Sequence, residues 1–257
     1  MKPAVKYRII SIVSLLTVVF IWELLTDILK TVPSYTMPSP WSVISAFYTK
    51  LYDPNPDGAT LLQHILTSLQ IALTGYFCGA LFGIPVGIAM AWSKKFDMFF
   101  KPIFDLVRPV PPIAWIPMMI LWFGIGLPAK AAIIFISAFV PCAINAEAGI
   151  RQTSPVHIWV ARTFGASNFE ILRKVALPTA LPLIFTGLRI SLGVAWMTLV
   201  AAELLASTRG LGYMIQINRM LGRSDIIVVG MLTIGGFGAL LSFVLQLFER
   251  KYVKGGK

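Results

Sequence analysis

Charge is scarce in this chain. Asp, Glu, Lys and Arg make up 13% of its 257 residues, where a soluble domain carries about 25%. Beside 57% hydrophobic residues, that deficit excludes an ordinary water-soluble fold built around one core. Cysteine is also scarce. Cys78 and Cys142 lie far apart, each inside an apolar block, so no zinc-ligand spacing exists. A Gly-x-x-x-x-Gly-Lys-Ser/Thr phosphate loop is missing as well. Gly124 and Lys130 are its nearest echo, with the wrong spacing. Acidic residues number 11 against 22 basic ones, a net charge of +11. The basic residues sit between apolar blocks, as topology determinants do, so a nucleic-acid partner is not expected.

Long apolar runs are what the chain has in abundance. Six blocks stand out, at 9–29, 65–91, 103–125, 131–150, 179–203 and 226–248. A helix needs about 20 apolar residues to cross roughly 30 Å of hydrocarbon. The expected fold is therefore all-α, a polytopic membrane protein with six transmembrane helices, and residues 1–257 form a single membrane domain. Lys2, Lys6 and Arg8 precede the first run as in a signal peptide. No small-residue cleavage site follows Trp22 and Leu25, so a retained first span is expected.

Basic residues orient the spans. With the N-terminus cytoplasmic, 15 of the 22 Lys and Arg fall on the cytoplasmic side, among them Lys94, Lys95, Lys101 and Arg108. Six fall outside, and Arg189 is left within a span. Both termini are then cytoplasmic. Of the outer connections, 30–64 is turn-rich, with a short interfacial helix expected at 41–50 and anchored by Trp41. The second, 126–130, is a tight turn, and 204–225 is longer.

Three features inside the spans carry chemistry. Gly75, Gly79, Gly83 and Gly87 recur every four residues, placing them on one helical face where another helix can approach closely. Pro85 in the same span is expected to kink it. Arg108-Pro109-Val110-Pro111-Pro112-Ile113-Ala114-Trp115-Ile116-Pro117 cannot be a regular helix throughout, because each proline removes a donor and restricts the residue before it. Broken backbone at membrane depth survives only against protein or a wet cavity. Arg189 lies 11 residues beyond Pro178, about 16 Å along a helix and so near mid-membrane. It would attract an anion or pair with a carboxylate. Glu147 and Glu203 sit nearer helix ends.

Residues 151–178 form the longest cytoplasmic connection. Ala161, Phe164, Asn168, Ile171 and Val175 recur at spacings of three and four, with Arg162, Glu170, Arg173 and Lys174 on the polar side. The pattern predicts a short amphipathic helix or helix pair ended by Pro178. It suits either a partner's groove or the membrane surface.

Ala161-Arg162-Thr163-Phe164-Gly165-Ala166-Ser167, followed by Val175-Ala176-Leu177-Pro178, resembles the EAA loop of ABC importer permeases. Gly165 falls on that motif's glycine and Leu177-Pro178 on its Leu-Pro. Trp159 and Val160 replace its opening Glu-Ala. A narrower resemblance covers nearly the whole chain. Arg108 to Pro117, Leu121 to Gly126, Thr186 to Ile190, Ala201 to Leu205 and Thr208 to Gly212 are similar to the taurine, aliphatic sulfonate and nitrate permeases. The run from Trp196 to Gly212 is most similar to the taurine members.

This resemblance implies a type I importer permease fold in the inner membrane. It implies a second permease copy, two ATP-binding subunits on the cytoplasmic loops and a solute-binding protein outside. ATP and Mg2+ would belong to the ATPase partners, and no cofactor to this chain. Residues 161–175 would carry motion from the ATPases, and the solute would be a small organic anion. Nitrate, taurine, other alkanesulfonates and aromatic or heterocyclic solutes all stay open. A secondary transporter would more often show two related halves with interrupted segments. A structural anchor would not explain prolines at depth or the intramembrane arginine.

The topology has a direct test. Reporters fused after residue 257 and within 50–60 are expected on opposite sides of the membrane. Reporters on the same side would contradict six spans.

Overall fold

The computed structural model of the protein describes residues 3–205 and 207–252. The side chains of Lys2, Lys6, Arg8, Lys254 and Lys257, counted above for orientation, lie outside that description. Every regular element in the described residues is helical. The elements are α1 (Pro3–Glu23), α2 (Pro40–Tyr52), α3 (Leu61–Trp92), α4 (Lys94–Val107), α5 (Ile116–Phe123), α6 (Leu127–Arg151), α7 (Pro155–Thr163), α8 (Asn168–Ile171), α9 (Leu177–Leu205), α10 (Leu211–Met220) and α11 (Ser224–Tyr252). A π turn at Leu24–Ile28 extends α1, a 3-10 turn at Pro112–Trp115 precedes α5, and a π turn at Leu172–Ala176 joins α8 to α9. Two compact units emerge, Met1–Ile65 with Arg209–Gly235, and Leu66–Thr208 with Gly236–Lys257.

Among the described residues, five helical stretches are long and apolar enough to cross a bilayer: Ile10–Ile28, Leu61–Trp92, Leu127–Arg151, Asn168–Leu205 and Ser224–Tyr252. A bent pair, Lys94–Val107 with Pro112–Phe123, whose halves meet at 85°, makes a sixth if it crosses as one span. The third span therefore departs from its expected start at 103. It begins at Lys94, where Ser93 caps α4 by accepting the Phe96 amide. Phe96, Phe100 and Phe104 then recur every four residues and pack inward as a ladder of rings. Lys101 and Arg108 thus belong to a helix and its end, and not to a cytoplasmic connection. The break falls in the proline-rich run, as the missing amides require.

Other boundaries shift for local reasons. Gly124, at φ +73, stops α5, and α6 starts at Leu127, so the outer turn is shorter than 126–130. Ser39 caps α2 with Pro40 in its first turn. The connection 204–225 holds a helix of its own, α10, which the turn-like glycines concealed.

The second unit is built on α6. It packs extensively against α9. Ala146 and Ile150 of α6 pack with Ala180 and Ile184 of α9 and with Ala176. Small residues set the spacing. A methyl group on Gly187 would lie 2.7 Å from the Asn145 Cβ, and one on Gly149 would lie 3.0 Å from that of Ala180. On its other side α6 receives the glycine face of α3. A Cβ on Gly75 would come 2.6 Å from Ile134 Cβ, one on Gly79 2.6 Å from Ala138 Cβ, and one on Gly83 2.6 Å from the Phe139 carbonyl. On Gly87 it would press into the Ala143 carbonyl. The four glycines thus let two backbones approach along nearly the whole of α6. By contrast, α1 has no buried residue along Ile10–Ile28.

Substitution at this face has a graded outcome. Gly79→Leu and Gly87→Ala are expected to lower thermal stability in detergent, by about 1–3 kcal/mol each. Gly193→Ala, where a Cβ meets nothing within 4 Å, is expected to leave the melt unchanged.

Candidate functional site

The segment between α6 and α9 folds as an elbow. α7 ends at Thr163, and Gly165 takes φ +78, a left-handed conformation that favours glycine. Ser167 then caps α8 through a reciprocal box. Its hydroxyl accepts the Glu170 amide, and the Glu170 carboxylate accepts from the Ser167 amide. Lys174 closes the outer side with a 3.1 Å pair to Glu170. From α8 the chain continues through the π turn into α9 without a break, and Pro178 sits in the first turn of α9.

The turn at Gly165 changes which side chains face outward. A single stripe would present Phe164, Ile171 and Val175 together. Instead Ile171 is buried and Ala161, Ala166 and Val175 are half-buried. Phe164 is 86% exposed, and Trp159, Val160 and Phe169 are exposed with it. Arg173 is also exposed. The elbow therefore offers aromatic side chains from both of its arms.

Glu147, Arg189 and Glu203 each have a partner. Glu203 is buried and accepts from the Ser68 hydroxyl at 2.8 and 3.0 Å. Lys130, at the start of α6, donates to Ser207 at 2.8 Å and feels the Glu203 carboxylate. Glu147 accepts from Lys101 at 3.2 Å and from Arg151 at 2.9 Å, and Arg151 reaches on to Asp97 at 2.9 Å. Arg189 pairs with Glu249 of α11. Arg189 is midway along α9, yet Glu249 is three residues from the end of α11. Glu147, Arg189 and Glu203 are therefore apart, each in its own contact, and no single site unites them.

A further cluster lies in the first unit. Lys50 is 1% exposed and donates to Asp57 at 2.5 Å and to the carbonyls of Pro54 and Asn55. Gly210 donates its amide to His64 Nδ1 at 3.1 Å, so the proton of the neutral ring sits on Nε2, which faces Asp57 at 3.2 Å. Asn218 donates to the other Asp57 oxygen at 3.0 Å. Asp57 thus ties α2, the start of α3 and α10 together. Sequence reasoning missed it because its members are spread from 50 to 218 with no motif spacing.

Comparison with known proteins decides the family. Residues 83–254 match the family described as binding-protein-dependent transport system inner membrane component. The chain belongs to this family. It is a multi-pass permease subunit of an ABC importer, not a catalytic enzyme. The permease is 39% identical over 249 residues to the taurine transport system permease protein of Escherichia coli strain K12, covering 97% of this chain and 90% of that one. It is 33% identical over 237 residues to a putative aliphatic sulfonates transport permease protein of Bacillus subtilis strain 168, covering 92% and 84%. Its fold matches the inward-facing methionine ABC transporter with a TM-score of 0.67 at 22% identity, over 75% of this chain and 95% of that one. Importers of this family include paired permeases, ATPase subunits that use ATP and Mg2+, and a solute-binding protein.

The Asp57 cluster predicts a pH dependence. Burial opposes ionisation of Asp57, but the contacts from His64 and Lys50 outweigh it and hold the carboxyl below its ordinary value. A depressed value stabilises the fold fully above the unfolded pKa of about 4 and loses that contribution as pH falls through the folded value. Thermal melts from pH 7 to 3 are expected to show this loss in the native permease and not in Asp57→Asn. At pH 7 Asp57→Asn leaves the buried Lys50 without its counter-charge, at an expected cost of about 3–5 kcal/mol.

Proposed function

We propose that this permease imports a small organic anion, a sulfonate of the taurine type, driven by ATP hydrolysis in separate subunits. The observation that carries the reading is the 39% identity to a taurine permease across nearly the entire chain. The net charge of +11 favours an anion electrostatically. Two copies of the permease form the path, two ATP-binding subunits dock on the cytoplasmic side, and a solute-binding protein delivers the anion outside. Both termini are cytoplasmic, as the placement of basic residues argues.

The elbow at 151–178 is the contact with the ATPase. Phe164, Trp159 and Phe169 form an apolar surface that this chain leaves uncovered. A groove on a partner would bury it, at about 25 cal/mol per Å² of apolar area. Because α8 runs into α9 without a break, a push on the elbow moves the fifth span directly. Glu147, Arg189 and Glu203 hold the moving helices through their own ion pairs and hydrogen bonds. Gly75, Gly79, Gly83 and Gly87 keep α3 locked to α6 during that motion.

Reconstitution with the ATPase and binding protein tests the solute. ATP-dependent uptake of taurine or another alkanesulfonate is expected. Uptake of nitrate alone would move the assignment to that anion, and uptake of neutral solutes only would contradict it. The elbow is tested separately. Gly165→Asn keeps a residue that tolerates the left-handed turn, and ATPase binding should persist. Gly165→Trp and Phe164→Ala are expected to weaken ATPase association about tenfold, or about 1.4 kcal/mol, and to uncouple hydrolysis from uptake. A helix lying on the inner leaflet would leave association, turnover and uptake unchanged in all three variants.

A further inference from the structure

Arg108 stands at a depth that neither composition nor span counting indicates. α4 runs antiparallel to α6, and three contacts set the register. Asp97 meets Arg151 at 2.9 Å, Lys101 meets Glu147 at 3.2 Å, and the rings of Phe104 and Phe139 lie 6.2 Å apart. Each step up α4 is a step back along α6. Continued by one turn, the register brings Arg108 level with about residues 136–140, halfway along Leu127–Arg151. At 1.5 Å per residue that is roughly 18 Å from either end of α6.

At this depth the helix stops. Pro109, Pro111 and Pro112 supply no amide hydrogens, and the two halves of the span diverge by 85°. Arg108, Pro109, Val110, Pro111, Ile113 and Ala114 are all exposed. The Arg108 side chain is 45% exposed, and its contact to Asp105 engages Nε at 3.3 Å. Nearby in sequence, the buried Trp115 Nε1 has no hydrogen-bond partner among the described residues. Lipid tails satisfy neither irregular backbone nor a guanidinium. Arg189 is paired with Glu249 from another helix, whereas the partner of Arg108 is Asp105 on its own helix, at 3.3 Å through Nε, beside the break.

We infer that the 108–114 break lines the aqueous translocation path and that the Arg108 guanidinium holds a sulfonate or similar oxyanion in transit. The inference rests on the import function proposed above and deepens it by naming the residue that meets the anion. A planar guanidinium matches the oxygens of an oxyanion. Asp105 beside it repels the same anion, which keeps binding weak enough for release.

The test uses the complete complex of permease, ATPase and binding protein, with Cys78→Ser removing the exposed native thiol. Val110→Cys or, separately, Ala114→Cys places a reporter thiol at the break. Two methanethiosulfonate probes of similar size, one bearing a sulfonate and one a trimethylammonium group, are compared after normalisation to a free thiol. Both are expected to react, the sulfonate about tenfold faster. Arg108→Gln should erase that preference, and Arg108→Lys should keep it. In the transport assay Arg108→Gln should lower taurine uptake at least tenfold with assembly and ATP turnover retained. An unreactive thiol at both positions in the assembled complex would overturn the inference, since protein or lipid then covers the break. Equal normalised rates, or full uptake by Arg108→Gln, would overturn it as well. If the native complex imports no sulfonate, the substrate assignment fails, while the probe ratio still decides whether Arg108 selects anions on a wet path.

Discussion

The close approach of helix backbones to α6 is the constraint on which the second unit depends. In hydrocarbon there is little gain from apolar contact alone, so helices associate where small residues let them pack tightly. Gly75, Gly79, Gly83 and Gly87 press α3 against one side of α6, while Gly149 and Gly187 bring α9 close. Most of what surrounds α6 takes its position from this arrangement. Lys101 finds Glu147, and Asp97 finds Arg151, because α6 presents those charges in its final turns. Ile116 and Met119 of α5 pack on Ala129 and Ile133 at its other end.

This packing gives the unit a mechanical character. The elbow leads into α9 without interruption, and α9 packs extensively against α6. Force applied at Phe164 would therefore displace a packed block, since close-packed interiors deform little. The regular hydrogen-bonded ladder is lost within a span at 108–115, between α4 and α5. Rigid packing along α6 and an irregular, exposed break in the neighbouring span are complementary features for a protein that must open and close a path.

Much of this was legible in the residues, and the exceptions have physical causes. Long apolar runs revealed the spans because hydrocarbon thickness dictates their length. A four-residue glycine repeat revealed the α3 face because that spacing is nearly one helical turn. The prolines after Arg108 announced a break, but not the helix before it. α4 mixes Lys94, Lys95, Asp97 and Lys101 with Phe96, Phe100 and Phe104, and its charges resemble those of a loop. On the helix, Lys101 meets Glu147 and Asp97 meets Arg151, while Lys94 and Lys95 stay exposed in its first turn. The elbow was legible as a motif, yet its exposed face was not. Periodicity through 161–175 assumes one continuous helix, and the left-handed turn at Gly165 shifts the phase, burying Ile171 and exposing Phe169. The Ser68–Glu203 and Asp57–Asn218 contacts join residues more than 130 positions apart, a relation that no local pattern records.

The central claim is that the elbow and the fifth span move as one body when ATP binds. Pulsed electron spin resonance on the assembled, reconstituted complex tests it most directly. One spin label at Arg162→Cys and one at Met197→Cys, with Cys78→Ser, report the distance along a single chain. A label at Arg162→Cys alone reports the distance between the two copies. With ATP bound and hydrolysis blocked, the within-chain distance should stay constant while the distance between copies changes by several ångströms. A within-chain distance that changes while the distance between copies stays fixed would show that the elbow flexes against α9, contradicting the account.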